Sequence, residues 1–581
     1  MIKKFLKCIR EYKLPTIITL ILMVCEVVIE VFIPFVTAEL VNNINKGAPQ
    51  SEVVKTGVIL VLFAFISLLC GGIAALTSSR ASSGFAKNLR HDIFRKIQTF
   101  SFENIDKFST ASLVTRMTTD VTNVQMAYMM LIRIAVRSPL MFIFSIIMAY
   151  VMGGALATTF VVIVPILGAG LYLVSRKAMP AFRSVFRKYD KLNESIEENV
   201  RGIRVVKGFS REEHEKNKFA NASIDICRDF TKAERIVAFN QPLMQLCLYF
   251  NMAFVLIVGS KMTIESMGSM IDVGQISAML TYGMQILMSL MMLSMIYVML
   301  TMSSESIKRI SEVLDETPTL KNPEEPITEI SDGSIDFNNV SFKYSERALR
   351  YSLEGVNVHI PTGATVGIIG GTGSGKSTLV QLIARLYDTT VGEVLVGGVN
   401  VKDYDIDTLR QNVAMVLQKN VLFSGTIAEN LRWGNPEATQ AELEEACKLA
   451  EAHDFVMSFP DGYNTKIEQG GTNVSGGQKQ RLCIARALIK KPKILILDDS
   501  TSAVDTKTDA KIREAFREFI PETTKIIIAQ RVASVMETDM IIVLDNGKIS
   551  DIGTHEELIL RSEIYKEIYE QQTRGGDENN G

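Results

Sequence analysis

At 581 residues the chain is too long for one ordinary domain of roughly 100 to 200 residues, so two or more are expected. Its 62 Lys and Arg stand against 64 Asp and Glu, a formal net charge of -2, which excludes bulk attraction to nucleic acid or to acidic partners. The seven cysteines (Cys8, Cys25, Cys70, Cys227, Cys247, Cys447, Cys483) are scattered, odd in number and without C-x-x-C or metal-ligand spacing, so they read as reduced thiols.

Almost every long uncharged run lies before residue 305, and crossing a bilayer core takes about 20 apolar residues. Residues 1–13, apolar and basic by turns, predict an amphipathic helix along a membrane surface. Leu14 to Val41 is the first span; it is too long for a signal peptide and lacks a small-residue cleavage pattern, so it is expected to stay as an anchor. Residues 57–77 form the next. Residues 138–175 are too long for one span, and Met152-Gly153-Gly154 punctuates them into two. Residues 238–260 and 273–302 bring the expected total to six, in a membrane domain over 14–304.

Basic residues favour the cytoplasmic side. Five lie in the N-terminal MIKKFLKCIREYK, the connections 78–137 and 176–237 are rich in them, and the 153–156 turn has none, so both termini are expected in the cytoplasm. The helical periodicity of NESIEENVRGIRVVKGF makes these connections helical extensions of the spans. After Ser304 the polar helix SESIKRISEVLDE and the Pro-rich, acidic TPTLKNPEEPITEISDG read as a linker over 305–333, ahead of a soluble domain over 334–581.

In that domain TVGIIGGTGSGKSTLVQLIARL reads strand, glycine loop, helix. Gly370, Gly371, Thr372, Gly373, Ser374, Gly375, Lys376 and Ser377 fit G-x-x-x-x-G-K-[ST], with Thr378 next in the helix. The glycines let backbone N–H groups close around a β-phosphate at a helix N-terminus, Lys376 reaches the β- and γ-phosphates, and Ser377 binds Mg²⁺. The strand KILILDD ends on Asp498, placed to hold Mg²⁺ through water. The ligand so implied is ATP with Mg²⁺.

Between these motifs VSGGQKQR, residues 474–481, resembles the signature of ATP-binding cassette (ABC) proteins. Six spans followed by one cassette resembles an exporter half-transporter over essentially the whole chain. The resemblance implies an α-helical membrane domain followed by an α/β P-loop nucleotide-binding domain, with coupling helices near 101–116 and 200–210. It further implies that Tyr344 stacks on adenine and that Gln418, in VLQKN, sits at the Mg²⁺ and membrane-domain contact. Ser475, Gly476, Gly477 and Gln478 would be the signature, and SAVD, residues 502 to Asp505, the D-loop. In this family two cassettes pack head to tail, each ATP lying between the phosphate loop of one and the signature of the other.

Two catalytic positions depart from the family pattern. Asp499 stands where the hydrolytic glutamate belongs, and a carboxylate one methylene shorter is displaced by about 1 Å, enough to cost on the order of 100-fold. Gln530, in KIIIAQR, stands where the switch histidine belongs, and a glutamine cannot titrate. His555, in GTHEEL, belongs to a C-terminal segment also found in intact cassettes and is no substitute. Gln469, in TKIEQGG, departs from the usual T-x-V-G-E-x-G. The resemblance is therefore to the degenerate-site subunit of a bacterial heterodimeric multidrug-type exporter, whose partner carries the missing glutamate and histidine. A homodimer with slow hydrolysis and an ATP-gated channel or regulatory sensor are the alternatives.

The implied cargo is a drug- or lipid-like amphiphile. Glu26 and Glu30, one helical turn apart in the first span, are either a cation-attracting cavity wall or an interhelical hydrogen-bonded pair. Met284, Met288, Met291, Met295, Met299 and Met302 recur at helical spacing, either as packing and lipid contact or as a pliable cavity wall.

Overall fold

The computed structural model describes residues 2–345, 348–499 and 504–577. They divide into two compact units, one of residues up to Thr99 with Ser109–Glu316, the other of Phe100–Phe108 with Thr317 onward.

The first unit is helical: α1 Lys13–Asn45, α2 Gln50–Gln98, α3 Val121–Gly153, α4 Thr159–Arg201, α5 Glu212–Ala238, α6 Asn240–Glu265 and α7 Val273–Asp315. Among the described residues five stretches are long and apolar enough to cross a membrane: Arg10–Asn45, Gln50–Gln98, Thr110–Phe182, Glu212–Glu265 and Val273–Asp315. The expected count was six. The difference lies in Thr110–Phe182, a single stretch that contains α3 and the first half of α4 on either side of the 3-10 turn Gly154–Thr158. Gly154 ends α3 at φ +49°, ψ −116°, a backbone open to glycine and costly for any residue with a Cβ.

Lipid is as apolar as a leucine face, so close backbone approach and hydrogen bonds must hold such helices together. Val27, Val31, Ala149, Val255, Met279, Tyr282 and Ile286 form a buried cluster joining α1, α3, α6 and α7. Inside it the Tyr282 hydroxyl donates to the Val31 carbonyl at 2.8 Å. A second cluster, Ile163, Leu167, Leu171, Met244 and Leu287, joins α4, α6 and α7.

Two segments flanking the spans find buried seats. Helix α7 runs on through 305–315, where SESIKRISEVLDE reads as a polar helix, and there Ile310 and Val313 are buried. Fully buried Asp120, just ahead of α3, fixes it there: Ser306 Oγ donates to Oδ1 at 2.8 Å and Arg309 Nε to Oδ2 at 2.8 Å. The helix stops where Thr317 precedes Pro318, a residue pair that disfavours helical backbone. The N-terminal segment forms Ile2–Lys7 and Arg10–Tyr12 and packs on α2, with Cys8 and Ile9 buried and Asn88 Nδ2 donating to the Cys8 carbonyl at 2.9 Å.

The second unit holds β1 Ile335–Phe342, β2 Leu353–Ile360, β3 Thr365–Gly370, β4 Val391–Val396, β5 Val399–Asn400, β6 Val413–Val416, β7 Gly425–Thr426, β8 Lys466–Ile467, β9 Ile494–Asp498, β10 Thr524–Ile528, β11 Met540–Asp545 and β12 Lys548–Gly553. The central sheet has the order β12-β11-β3-β10-β9-β6, parallel from β11 to β6, and an antiparallel sheet β2-β1-β4-β5 covers one face. Period-two alternation explains the layering. Ile494 and Ile496 face the core shared with the antiparallel sheet, whereas Leu495 and Leu497 face the helical side with Leu482 and Ile484. Buried on both faces, β9 reads ILIL rather than alternating with polar residues.

The short helix Phe102–Phe108 belongs to this unit although it lies between two membrane helices in sequence. Tyr387 Oη donates to Asp106 Oδ2 at 2.7 Å and Asn104 Nδ2 to the Thr317 carbonyl at 3.2 Å. The other expected coupling segment forms Ile203–Gly208, in the first unit.

Candidate nucleotide site

In a doubly wound sheet the crevice beyond the carboxyl ends of the parallel strands is the natural ligand site. Four such ends converge here. Residues 371–375 follow β3, Gln418 follows β6, Asp498 and Asp499 end β9, and Gln530 lies beyond β10.

The loop after β3 needs glycine for two physical reasons. Gly370 sits at φ +156°, where a Cβ would come 2.1 Å from the Leu544 carbonyl oxygen, and Gly375, at φ +100°, caps helix α8, Lys376–Ile383, where a Cβ would meet the Ser352 carbonyl at 2.8 Å. Gly371 and Gly373 face open space, with nothing within 4 Å of a built Cβ. Lys376 Nζ donates to the Gly370 and Gly371 carbonyls at 2.9 and 2.8 Å, and burial depresses its pKa. Ser377 Oγ donates to Asp498 Oδ1 at 3.1 Å.

These groups fit ATP with Mg²⁺. A glycine loop with open space beside it at a helix start, together with one lysine, suits phosphates, and the Ser377 hydroxyl beside the Asp498 carboxylate offers the hard oxygens Mg²⁺ takes. Asp498 is 4% exposed, and burial, with the neighbouring Asp499 charge adding, raises its pKa. A cation is the natural remedy.

Asp499 occupies a left-handed backbone at φ +48°, with its N–H bonded to the Ile528 carbonyl at 3.0 Å. Its Oδ2 accepts from Gln530 Nε2 at 2.7 Å and from Gln418 Nε2 at 3.4 Å. The two positions that depart from the family pattern are therefore in direct contact. Burial raises the Asp499 pKa while the two amides oppose the rise.

Tyr344 is 43% exposed, with its hydroxyl 3.0 Å from both Thr378 Oγ1 and Gln381 Oε1 and its ring edge-on to Phe342 and Tyr387. Ser475 to Gln478 make local bonds instead of joining this cluster. Ser475 caps helix α9, Gly476–Leu488, its Oγ accepting from Gln478 N at 3.3 Å while Gln478 Oε1 accepts from Ser475 N at 2.9 Å. Asp505 caps helix α10, Thr506–Phe519, through Thr508 N at 2.9 Å, and that bond lowers its pKa. Residues 502 and 503 of the expected D-loop lie outside the described residues. His555 Nδ1 pairs with the Tyr565 hydroxyl at 2.7 Å, a packing role away from the phosphate loop.

In the membrane unit the two glutamates meet a partner that sequence reasoning missed. Arg137 Nη2, on α3, donates to Glu30 at 2.8 and 2.7 Å and lies 3.6 Å from Glu26, which is 8% exposed. The two glutamates therefore share one cation from a neighbouring helix, the arrangement that the interhelical-pair reading calls for. Arg137 stands one residue before the uncharged run 138–175, where only its place at the rim of a span could have flagged it. Of the methionines, Met284, Met288 and Met295 are exposed, whereas Met291 packs beside the Leu287 cluster, so the stripe is split between two environments.

Comparison with known proteins bears on the family and the fold. The family model for the ABC transporter transmembrane region matches residues 16–290, and that for the ABC transporter matches residues 353–502. The uncharacterized ABC transporter ATP-binding protein YfiB of Bacillus subtilis (strain 168) is 36% identical over 570 residues, covering 98% of each chain. The uncharacterized ABC transporter ATP-binding protein Rv1273c of Mycobacterium tuberculosis (strain ATCC 25618 / H37Rv) is 35% identical over 570 residues, 97% of each. Among solved structures, a bacterial Atm1-family ABC exporter with ATP bound shares the fold, at a TM-score of 0.83 and 24% identity over 97% of this chain and 98% of that one.

Proposed function

Because the chain belongs to the ABC transporter family, we propose that it is one half of an ATP-driven exporter of amphipathic, drug- or lipid-like compounds. It works in a bacterial-type cytoplasmic membrane, crosses it six times and pairs with a different half-transporter. Both termini and the cassette lie in the cytoplasm. Its own cassette binds ATP with Mg²⁺ but rarely splits it, and it lends Ser475–Gln478 to the hydrolytic site of the partner, which supplies the catalytic glutamate and histidine.

One observation carries the reading: Asp499 and Gln530, the two replaced catalytic positions, are hydrogen-bonded to each other at 2.7 Å beside an intact Lys376, Ser377 and Asp498. The carboxylate that would orient an attacking water is already accepting from two amides, Gln530 and Gln418. Neither amide can take a proton as a histidine would, which supports a site that rarely hydrolyses. Because the two replacements touch, reverting one alone leaves a mismatched pair.

Asp499→Glu together with Gln530→His is therefore expected to raise ATP turnover of the complex well beyond the effect of either change alone. Steady-state ATPase assays on the purified complex check this. The chain purified by itself is expected to be nearly inactive. Turnover by the isolated chain at roughly 1 to 10 per second, an ordinary enzyme rate, overturns the degenerate-site reading in favour of a homodimer.

A further inference from the structure

We propose that Gln572, on the C-terminal helix α11, Glu563–Asp577, is a positioning residue for the nucleotide site, holding the segment that carries Gln530. Its amide bridges two backbone groups just past β10: Oε1 accepts from Val532 N at 2.8 Å, and Nε2 donates to the Gln530 carbonyl at 2.7 Å. A glutamine amide presents one acceptor side and one donor side on a rigid plane, so a single side chain satisfies both, as a neighbouring strand would. Val532 is 1% exposed, and without this acceptor its N–H loses a partner at a buried position.

The helix that carries Gln572 is itself seated in the core. Tyr565 is fully buried and bonded to His555 Nδ1 at 2.7 Å, while Ile564, Ile568 and Tyr569 pack against the helical-side cluster. The bonds therefore run without interruption from that core through Gln572 to the backbone of Gln530, and from Gln530 Nε2 to Asp499 Oδ2. Gln530 could reach Asp499 from many backbone positions, and Gln572 selects one. Seating of α11 thereby governs how firmly this cassette retains nucleotide.

The inference rests on the reading that this cassette holds ATP, and the test separates the two. The full-length chain is purified in its native complex as wild type, Gln572→Glu and Gln571→Ala. Glutamate keeps the length and the acceptor for Val532 N but sets a carboxylate against the Gln530 carbonyl. Gln571, whose Nε2 donates only locally to Glu567 at 3.1 Å, is the control.

Two quantities are read: hydrogen exchange of residues 528–534 without nucleotide, and the rate at which unlabelled ATP chases Mg²⁺·8-azido-ATP from this chain. Gln572→Glu is expected to speed both by about tenfold, the size of one lost positioned hydrogen bond, and Gln571→Ala to leave both unchanged. In a Gln530→Ala background Gln572→Glu is expected to alter the chase by less than about twofold, since residues acting through one chain are not additive.

Equal behaviour of Gln572→Glu and Gln571→Ala overturns the proposal, as does a full effect on the chase in the Gln530→Ala background, which would mark general loosening of the domain. If the wild-type chain takes no label, ATP binding is refuted while the exchange measurement still decides the role of Gln572. Should Gln572→Glu fail to accumulate, Gln572→Met is judged by the same outcomes.

Discussion

Asp499 is the residue on which the proposed function rests, and its surroundings pull two ways. Partial burial disfavours its charge, while the Gln418 and Gln530 amides favour it, and burial is the larger effect, so its folded pKa lies above the usual 3.8. An acid whose pKa rises on folding costs stability while ionised. That cost is fully present above the folded value, and it fades as pH falls through that value toward 3.8. Asp499→Asn, which removes the charge, is therefore expected to melt higher than wild type at pH 7, the gap closing as pH falls to about 4. Thermal melts in detergent across that range check it; a gap that widens on acidification would mean that the amide bonds outweigh burial. Sequence alone marked positions 499 and 530 as altered, but not that the two replacements meet.

Among the elements, the contact of α1 with α3 is held by charge. Glu26 and Glu30 recur one helical turn apart, so both can face α3, and Arg137 answers both. Glu26 is buried, so removing the arginine beside it strands a charge, whereas neutralising the whole set costs less. Arg137→Gln is accordingly expected to lower the thermal stability of the detergent-solubilised protein more than the triple change Glu26→Gln, Glu30→Gln, Arg137→Gln. A triple variant at least as unstable as the single would instead assign the charges a role in binding water or cargo. The same contrast between local and distant causes appears in α7. Its start at Asp272 has a local cause, the capping box that Asp272 forms with Gln275, whereas the polar helix after Ser304 is seated from a distance by buried Asp120.

For the molecule as a whole, the proposed division of labour predicts an asymmetry between two variants of this one chain. Ser475 caps α9, where the helix dipole favours negative charge, and in the proposed heterodimer it serves the ATP held by the partner. Ser475→Arg is expected to reduce turnover of the co-expressed complex by about 100-fold or more, the scale of losing a positioned donor to transition-state charge. Asp499→Asn is expected to leave most of it. ATPase rates of the two complexes decide, and equal damage would make this chain's own site the hydrolytic one.

Much of this was fixed locally and so could be read from the chain. A phosphate loop is a run of consecutive residues whose glycines answer to backbone sterics, and apolar spans and two-face-buried strands announce themselves by length and period. The family and the phosphate loop were legible for that reason. What only the tertiary structure decided were partnerships between residues far apart in sequence: Arg137 with Glu26 and Glu30, Asp120 with Arg309, Gln572 with the backbone around Gln530, and Asp499 with Gln530 itself. Each is a charge or an amide whose role depends on what packs against it, and periodicity carries no record of that.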